Sequence, residues 1–413
     1  MDSAPIHPTF RLGTWRRTAS DPAEWFSAEE LDRARDYQRP LTKLRLLRGG
    51  WAFALALGFA FGEAGPRLFD ALDVTNWVAQ LVVYLLALSA VSLVLDVPLD
   101  VWVDLVYDRR WGLSTQSART FVTDQIKSFV LGSVLGALIL IPLYAVIRST
   151  DLWWLWGWAL VVAFSVLAGF LFPVVIAPIF NRFTPLDDAA LAGRVDAVAQ
   201  RAGVKITGTF VADESRRSRR DNAYVAGLGA TRRVVLYDTL LEHPPEVVEQ
   251  VVAHEIGHWR LHHLRRQIPL AAALALVVFA VLGLAERWDW LVDATGLDPR
   301  ERFGDPASLP VVALVTQGGF MLTGLVSSWA SRAFERQADL EALELLGRPA
   351  ELIDMHRRLH VKNLADLDPG PLKRLQASHP PAAERMAFAK AWADDRNLSV
   401  AMSTSEGGRE SDR

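Results

Sequence analysis

The sequence predicts a predominantly α-helical, polytopic membrane protein with about six spanning helices and a small cytoplasmic α+β domain. Three observations support this fold class. Hydrophobic residues make up 51% of the 413-residue chain and charged residues only 22%, below the roughly 25% typical of soluble proteins. The apolar residues are clustered in runs long enough to cross a bilayer. Several of the 15 Trp lie near the ends of these runs, as is common at membrane interfaces.

Six apolar runs qualify as spanning helices by length and composition. They cover residues 46–64, 77–95, 129–147, 152–175, 268–284 and 309–329. The sixth run is the least apolar, because Thr, Gln and Ser side chains interrupt it. Such polar side chains face either a wet bundle interior or a close helix–helix contact.

The distribution of Lys and Arg orients these runs. Basic residues are concentrated before the first run and in the loop after the second, whereas the alternate loops hold few. Both termini and the long segment between the fourth and fifth runs are therefore expected in the cytoplasm. No cleavable signal peptide is visible, since the N-terminal residues are polar and of mixed charge. The Ala-, Leu- and Arg-rich composition favours a bacterial source, and hence the bacterial cytoplasmic membrane.

The expected organisation has six parts. They are a cytoplasmic N-terminal segment at 1–45, four spans within 46–181, a mixed cytoplasmic domain at 182–267, two spans within 268–329, further cytoplasmic helices at 330–397 and a disordered polar tail at 398–413. In the mixed domain, residues 191–202 and 245–263 predict helices, and residues 207–211 and 233–236 predict short strands.

The absence of cysteine and of a basic excess narrows the range of possible functions. The chain contains no cysteine, which excludes disulfides, thiol nucleophiles and thiolate metal sites. A metal would therefore be held by His and carboxylate side chains. The formal net charge of −3 lacks the basic excess of a nucleic-acid-binding protein, so no nucleic-acid partner is expected.

The string His-Glu-Ile-Gly-His at 254–258 lies on the predicted helix 245–263. His254 and His258 are four residues apart, so both imidazoles lie on one helix face and can reach one zinc ion. Glu255 lies beside them, where a carboxylate can take a proton from a metal-activated water. The alternative is a helix that carries two His by chance.

A hydrolytic zinc site needs a third protein ligand and an open coordination position. Leucines occupy the downstream positions where a metzincin carries Gly and a third His, and His262 and His263 are expected at the interface or in solvent. Glu335, in the string Ser-Arg-Ala-Phe-Glu-Arg-Gln-Ala-Asp at 331–339, is the better candidate. Asp339 lies one turn later and can accept a hydrogen bond from the outer nitrogen of a ligating His. The alternative for Glu335 is an ordinary surface acid.

Seven strings, taken in order, resemble the type 1 CAAX prenyl endopeptidase family, the multi-span gluzincins of the membrane. They are Trp-Gly-Leu-Ser-Thr-Gln-Ser at 111–117, Ala-Pro-Ile-Phe-Asn-Arg-Phe-Thr-Pro-Leu at 177–186, Asn-Ala-Tyr-Val-Ala-Gly-Leu-Gly at 222–229, Val-Leu-Tyr-Asp-Thr-Leu-Leu at 235–241, the two strings at 254–258 and 331–339, and Ser-His-Pro-Pro at 378–381 with Arg385. No single string is specific, but the ordered set is.

The resemblance implies a gluzincin-type metallopeptidase domain with one zinc ion per chain. The ligands would be His254, His258 and Glu335, with Glu255 as the general base. Asp339 would accept a hydrogen bond from the outer nitrogen of a ligating His. In that family the spanning helices enclose a large water-filled chamber, with the metal at its cytoplasmic side. Eukaryotic members carry one more span than is predicted for this chain.

The resemblance also implies how substrate is bound. Asn222, Ala223 and Tyr224 would belong to an edge strand that pairs with an extended substrate backbone. His379 and Arg385 would line the substrate cleft and hold a carbonyl or the developing oxyanion. The alternative for His379 and Arg385 is a Pro-bounded turn whose Arg satisfies nearby carbonyl groups.

The function that the resemblance implies is removal of the C-terminal tripeptide from prenylated CAAX proteins, or analogous processing of membrane-associated peptides. Its partners would be membrane lipids and peptide or protein substrates, lipidated or membrane-embedded ones among them. A quality-control metallopeptidase that degrades misfolded membrane proteins would use the same chemistry. An intramembrane site-2-type protease buries its motif in a span, and the basic residues that follow His258 argue against it. A non-catalytic transporter or scaffold is disfavoured because the spans hold very few ionisable residues.

Overall fold

The computed structural model describes residues 20–227 and 232–400. In these residues six helices are long and apolar enough to cross a membrane, and a single four-stranded sheet accompanies them. The predicted fold class is therefore confirmed. The disordered tail predicted at 398–413 lies, from residue 401 onward, outside the described residues.

The six candidate spans are longer helices than most of the apolar runs that predicted them. They are α1 (Ala28–Phe61), α3 (Trp77–Val101), α4 (Ala118–Ile147), α5 (Trp153–Leu171), α8 (His263–Glu286) and α10 (Leu309–Leu346). Short π-helical and α-helical turns continue α3 to Arg110 and α5 to Phe180. The difference arises because the bilayer requires apolar residues only along its own thickness, whereas a helix continues beyond it.

The remaining elements build the mixed domain and two short connections. They are α2 (Ala64–Ala71), β1 (Phe183–Pro185), α6 (Ala189–Arg201), β2 (Thr209–Ala212), β3 (Ala223–Ala226), β4 (Arg233–Tyr237), α7 (Pro245–Arg260), α9 (Asp289–Ala294), α11 (Pro349–Lys362), α12 (Pro371–Gln376) and α13 (Ala382–Asp395). Strand β1 was not predicted, because three residues are too few to show an alternating pattern.

The sheet has the order β1-β2-β4-β3, with β2 and β4 parallel and the outer pairs antiparallel. Strand β3 is therefore at an edge. The Asn222 carbonyl accepts the Tyr237 N–H at 3.0 Å, which makes these two residues a hydrogen-bonded pair. Because such pairs alternate along an antiparallel ladder, the backbone groups of Ala223 and Val225 point away from β4, toward the outer edge of the sheet, where the Ala223 N–H donates to Asn222 Oδ1 at 2.9 Å.

The two largest apolar cores lie at opposite ends of the long helices. The larger one joins the sheet to α6, α7, α11, α13 and the end of α10, and Leu240, Val248 and Leu343 are fully buried in it. The second core packs the far ends of the spans, where the Tyr144 hydroxyl lies 2.9 Å from Ser308 Oγ. The mixed domain is thus built on one end of the membrane bundle.

A buried polar contact ties the domain to the bundle. Asp108, in the short helix that extends α3, is 4% exposed. Its carboxylate accepts hydrogen bonds from the Tyr37 hydroxyl of α1 at 2.7 Å and from Arg220 Nη2 at 2.8 Å. Arg220 directly precedes the residues that lead into β3. The edge strand is therefore fixed relative to the first two spans.

Close packing of the spans depends on small residues. A Cβ at Gly157 in α5 would lie 2.7 Å from Leu143 Cδ1 of α4 and 2.9 Å from Phe279 Cε1 of α8. A Cβ at Gly169, in the same helix, would meet nothing within 4 Å. Only the first glycine is required by its neighbours.

We expect Gly157→Val to destabilise the bundle by about 1–3 kcal/mol, since overpacking forces side chains or backbone to shift. The measurement is thermal unfolding of the purified protein in detergent. Gly169→Val is the matched control and should unfold near the wild-type temperature. An equal loss in both variants would contradict this account of the packing.

Candidate active site

The site begins with a close contact between α7 and α10. Pro244 and Pro245 start α7, which is favourable because the first helical turn does not need the missing N–H. A Cβ at Gly257 would lie 3.1 Å from Glu341 Cβ and 3.3 Å from the Ala338 carbonyl oxygen. Gly257 therefore lets α10 approach α7 closely enough for its carboxylates to reach the histidines.

Three side chains converge between these helices. His254 Nε2 and His258 Nε2 are 3.2 Å apart, and each lies 3.4 Å from an oxygen of Glu335. One ligand atom from each residue lies within 4.8 Å of the other two. The buried Glu335 Oε2 has no hydrogen-bond partner among the described residues. Because a buried carboxylate oxygen without a hydrogen bond is costly, the donor set fits a bound cation.

Asp339 supports this cluster from behind. It is completely buried, and its Oδ1 lies 2.9 Å from His254 Nδ1. Arg385 donates to the same carboxylate through Nε at 2.7 Å and Nη2 at 2.6 Å. Since a carboxylate accepts only, His254 carries its proton on Nδ1 and keeps the Nε2 lone pair for a metal. The arrangement agrees with the expected position of Asp339.

A second relay orients His258, and here the expectation for His263 was wrong. His263 is 1% exposed instead of solvated. Its Nε2 lies 3.1 Å from Gln337 Oε1 and its Nδ1 2.9 Å from His258 Nδ1. Because the amide oxygen only accepts, His263 is protonated on Nε2, so its Nδ1 accepts from His258. His262 has a left-handed backbone conformation that ends α7 and turns the chain into α8.

Glu255 lies in a cleft of about 160 Å³ beside the cluster. The other expected residues that line this cleft are His254, Glu335, Asn222, Ala223, His379 and Arg385. Burial raises the pKa of Glu255 above its usual range, as suits a carboxyl that exchanges protons near neutral pH.

Arg385 and His379 occupy different positions in the cleft. Arg385 is 5% exposed, and its guanidinium is bound by Asp339. His379 has a largely exposed side chain with Nε2 3.4 Å from Glu335 Oε1 and Nδ1 2.8 Å from Ser378 Oγ. His379 is therefore the better placed of the two to meet a substrate carbonyl.

The edge strand separates the cleft from a larger cavity. Asn222 lines both, whereas Tyr224 lines only the larger one. That cavity has a volume of about 960 Å³, and its wall is formed largely by apolar residues of α5 and α8. Tyr224 therefore differs from the other predicted site residues, because it faces the apolar cavity instead of the metal cleft.

Several residues of the site were not predicted. His356 lies 3.3 Å from Asp339 Oδ1, while His360 and Asn363 line the cleft next to the edge strand. His356, His360 and Asn363 lie on or just after α11, which the sequence predicted only as a helix. Nothing in their local sequence indicates that they lie near His254 and Glu335. The only signal is that His356 and His360 are one helical turn apart, a spacing that also suits two histidines facing one site.

Two family models match the chain. One, described as the CAAX prenyl protease N-terminal region with five membrane helices, matches residues 15–182. The other, peptidase family M48, matches residues 185–393. The region 15–182 of this chain holds four candidate spans in its described part, one fewer than the first description names.

Individual relatives agree with these models. CAAX prenyl protease 1 of Saccharomyces cerevisiae is 29% identical over 87% of this chain and 85% of its own length, and the Arabidopsis thaliana homolog is 31% identical over 79% and 76%. An uncharacterized Bacillus subtilis metalloprotease, YhfN, is 27% identical over 90% and 88%. The crystal structure of S. mikatae Ste24p superimposes with a TM-score of 0.78 at 26% identity, covering 91% of this chain and 93% of its own.

We expect Asp339→Asn to weaken metal binding about 10–100-fold, because loss of the carboxylate frees His254 and removes the nearest counterion of Arg385. Competition against a chelator, followed by metal analysis, measures the effect. Asp354→Asn, a change at an exposed ion pair with Arg358, is the control. Unchanged metal affinity in Asp339→Asn would contradict the supporting role.

Proposed function

Because the chain belongs to peptidase family M48, in the branch of the CAAX prenyl proteases, we propose that His254, His258 and Glu335 hold its catalytic metal and that this metal is zinc. The chain is an integral, multi-pass membrane metalloendopeptidase, and its substrates are peptides or proteins. The sequence-based resemblance to this family is thereby confirmed.

One observation carries the assignment of the ligands. Two imidazole nitrogens and a carboxylate converge within 4.8 Å, and both imidazoles have their outer nitrogens engaged by Asp339 and His263. Two nitrogens and one oxygen, with room left for water, form the usual donor set of a hydrolytic zinc site. The absence of a hydrogen bond to the buried Glu335 Oε2 among the described residues supports the same assignment.

When bound, the ion supplies Lewis acidity that polarises a carbonyl group and a water molecule. Glu255 accepts a proton at its carboxylate from the attacking water and later returns it to the nitrogen of the leaving amine. Its position in the cleft and its raised pKa support both steps. His379 donates a hydrogen bond to the oxygen on which negative charge develops.

Arg385 acts differently in this proposal. Its guanidinium keeps Asp339 ionised and in position, and Asp339 in turn orients His254. Its Nη2 also lies 3.4 Å from Glu335 Oε2, so it adds positive potential behind the carboxylate. Substrate contact is left to His379 and to the edge strand.

We infer that the substrate binds as an added strand along β3 and places an apolar group in the large cavity. Asn222, Ala223 and Tyr224 belong to or adjoin an edge strand whose outward backbone groups can pair with an extended chain. The cavity of about 960 Å³ begins next to that strand and is lined by spanning helices. It suits a prenyl or other lipid chain, or an apolar membrane segment, better than a single side chain.

We also infer that the site faces the cytoplasm of a bacterial cell. The basic residues Arg109 and Arg110 lie at the end of α3 beside the mixed domain, and the first half of α1 is rich in Arg and Lys. Such residues favour the cytoplasmic side. CAAX-type processing is the function we favour there, for prenylated proteins or for analogous lipidated peptides.

We expect Glu255→Gln to lower kcat by about 10²–10⁴-fold while metal content stays unchanged, because the amide keeps the shape of the side chain but cannot take a proton. Hydrolysis of a quenched fluorescent peptide in detergent micelles measures kcat. Glu246→Gln, on the same helix but outside the cleft, is the control. Near-normal turnover in Glu255→Gln would refute the mechanism.

A second test addresses the cavity. Ala271→Trp should raise KM for an S-farnesylated peptide about tenfold, a cost of about 1.4 kcal/mol, because the indole fills space that the lipid needs. Hydrolysis of the unmodified peptide should not change. Val277→Trp, at a position of α8 that is 55% exposed and outside the cavity lining, is the control. Equal effects on both peptides would contradict lipid binding at this place.

A further inference from the structure

The edge of the sheet is not open along its whole length. Backbone groups that point outward from β3 recur at every second residue, at Val225, at Ala223 and, one step further, at Asp221. At Asp221 both groups are already bonded. Its N–H donates to Asn363 Oδ1 at 2.9 Å, and its carbonyl accepts from Asn363 Nδ2 at 3.1 Å. The carboxamide of Asn363 thus forms the two bonds that a neighbouring strand would form.

This contact is rigidly supported. The Asp221 carboxylate accepts from Lys362 Nζ at 2.7 Å, and its other oxygen lies 2.6 Å from His243 Nε2. Asp221 is 6% exposed. Arg220, its neighbour, is bonded to Asp108 of the membrane bundle. Neither Asp221 nor the end of α11 can therefore move aside without breaking several polar contacts.

The carboxamide is not needed to end α11. The Asn363 backbone N–H bonds to the Leu359 carbonyl at 3.0 Å, which continues the helical pattern through the last turn. The side chain is instead directed at the sheet edge, and it lines the metal cleft together with His360 and Asn222. Its two bonds to Asp221 are the feature that requires explanation.

We propose that Asn363 acts as a stop for the substrate strand and thereby sets which peptide bond reaches Glu255. This inference rests on the proposed function, in which substrate pairs with β3. With Asp221 closed by Asn363, the outward backbone groups left for an extended chain within β3 are those of Ala223 and Val225. The Ala223 N–H donates to Asn222 Oδ1 at 2.9 Å, so this side chain must turn aside when substrate pairs there. The register of the substrate against the metal cluster is then fixed. A shift by one residue would turn every side chain to the opposite face, so the next allowed register lies two residues away.

The test is the position of the cut. Wild type, Asn363→Ala and Asn363→Ser would each be incubated with short synthetic peptides, with and without S-farnesyl cysteine, and the products identified by mass spectrometry. In the variants both backbone groups of Asp221 become available. We expect products cut two residues from the wild-type bond, with their share raised about tenfold. The reason is that the substrate can then form the two hydrogen bonds with Asp221 that Asn363 forms in wild type. The serine variant serves if the alanine variant does not fold.

Arg358→Ala, at an exposed residue of α11 paired with Asp354, is the control and should leave the cut site unchanged. Asn363 variants that cut the same bond as wild type, whether faster or slower, would overturn the role of Asn363 as a stop. A folded, metal-loaded wild type that cuts none of the peptides would instead refute the proposed function. The two failures are therefore distinguishable.

Discussion

The site depends on one buried carboxylate. Asp339 is completely buried, and a buried charge is tolerated only when it is paired and hydrogen-bonded. Its two nearest partners come from other helices, His254 on α7 and Arg385 on α13, while Asp339 itself belongs to the helix that leaves the membrane. Meeting this electrostatic requirement brings the three helices together. The same requirement holds His254 in the tautomer that a metal ligand needs.

Sequence reasoning reached the parts of the site that local spacing encodes. Two histidines four residues apart, with a glutamate between them, indicate their chemistry within one turn of helix, and Glu335 with Asp339 repeats that spacing on another helix. His263 shows where such reasoning ends. Its string predicts an interfacial residue, yet contact with Gln337, distant in sequence, buries it. The role proposed for Asn363 likewise depends on its contact with Asp221 at the sheet edge, which lies far from it along the chain.

The two cavities meet at the edge strand, which therefore borders a polar environment on one side and an apolar environment on the other. On one side Asn222 adjoins a small cleft lined by charged and imidazole groups, and on the other it adjoins an apolar cavity between spanning helices. A peptide paired with β3 would therefore expose one part to polar chemistry while another part stays in a lipid-like environment. In the proposed function, both cavities are needed to select a membrane-associated substrate.

The continuity of α10 has a mechanical consequence. A single unbroken helix, Leu309–Leu346, runs from the far end of the bundle to His254 and His258 and carries Glu335 on its final third. A continuous α-helix, which rises about 1.5 Å per residue, behaves as a stiff rod over this length. Because spanning helices tilt to match the hydrocarbon thickness around them, the lipid composition of the host membrane becomes a variable that can reposition the Glu335 carboxylate.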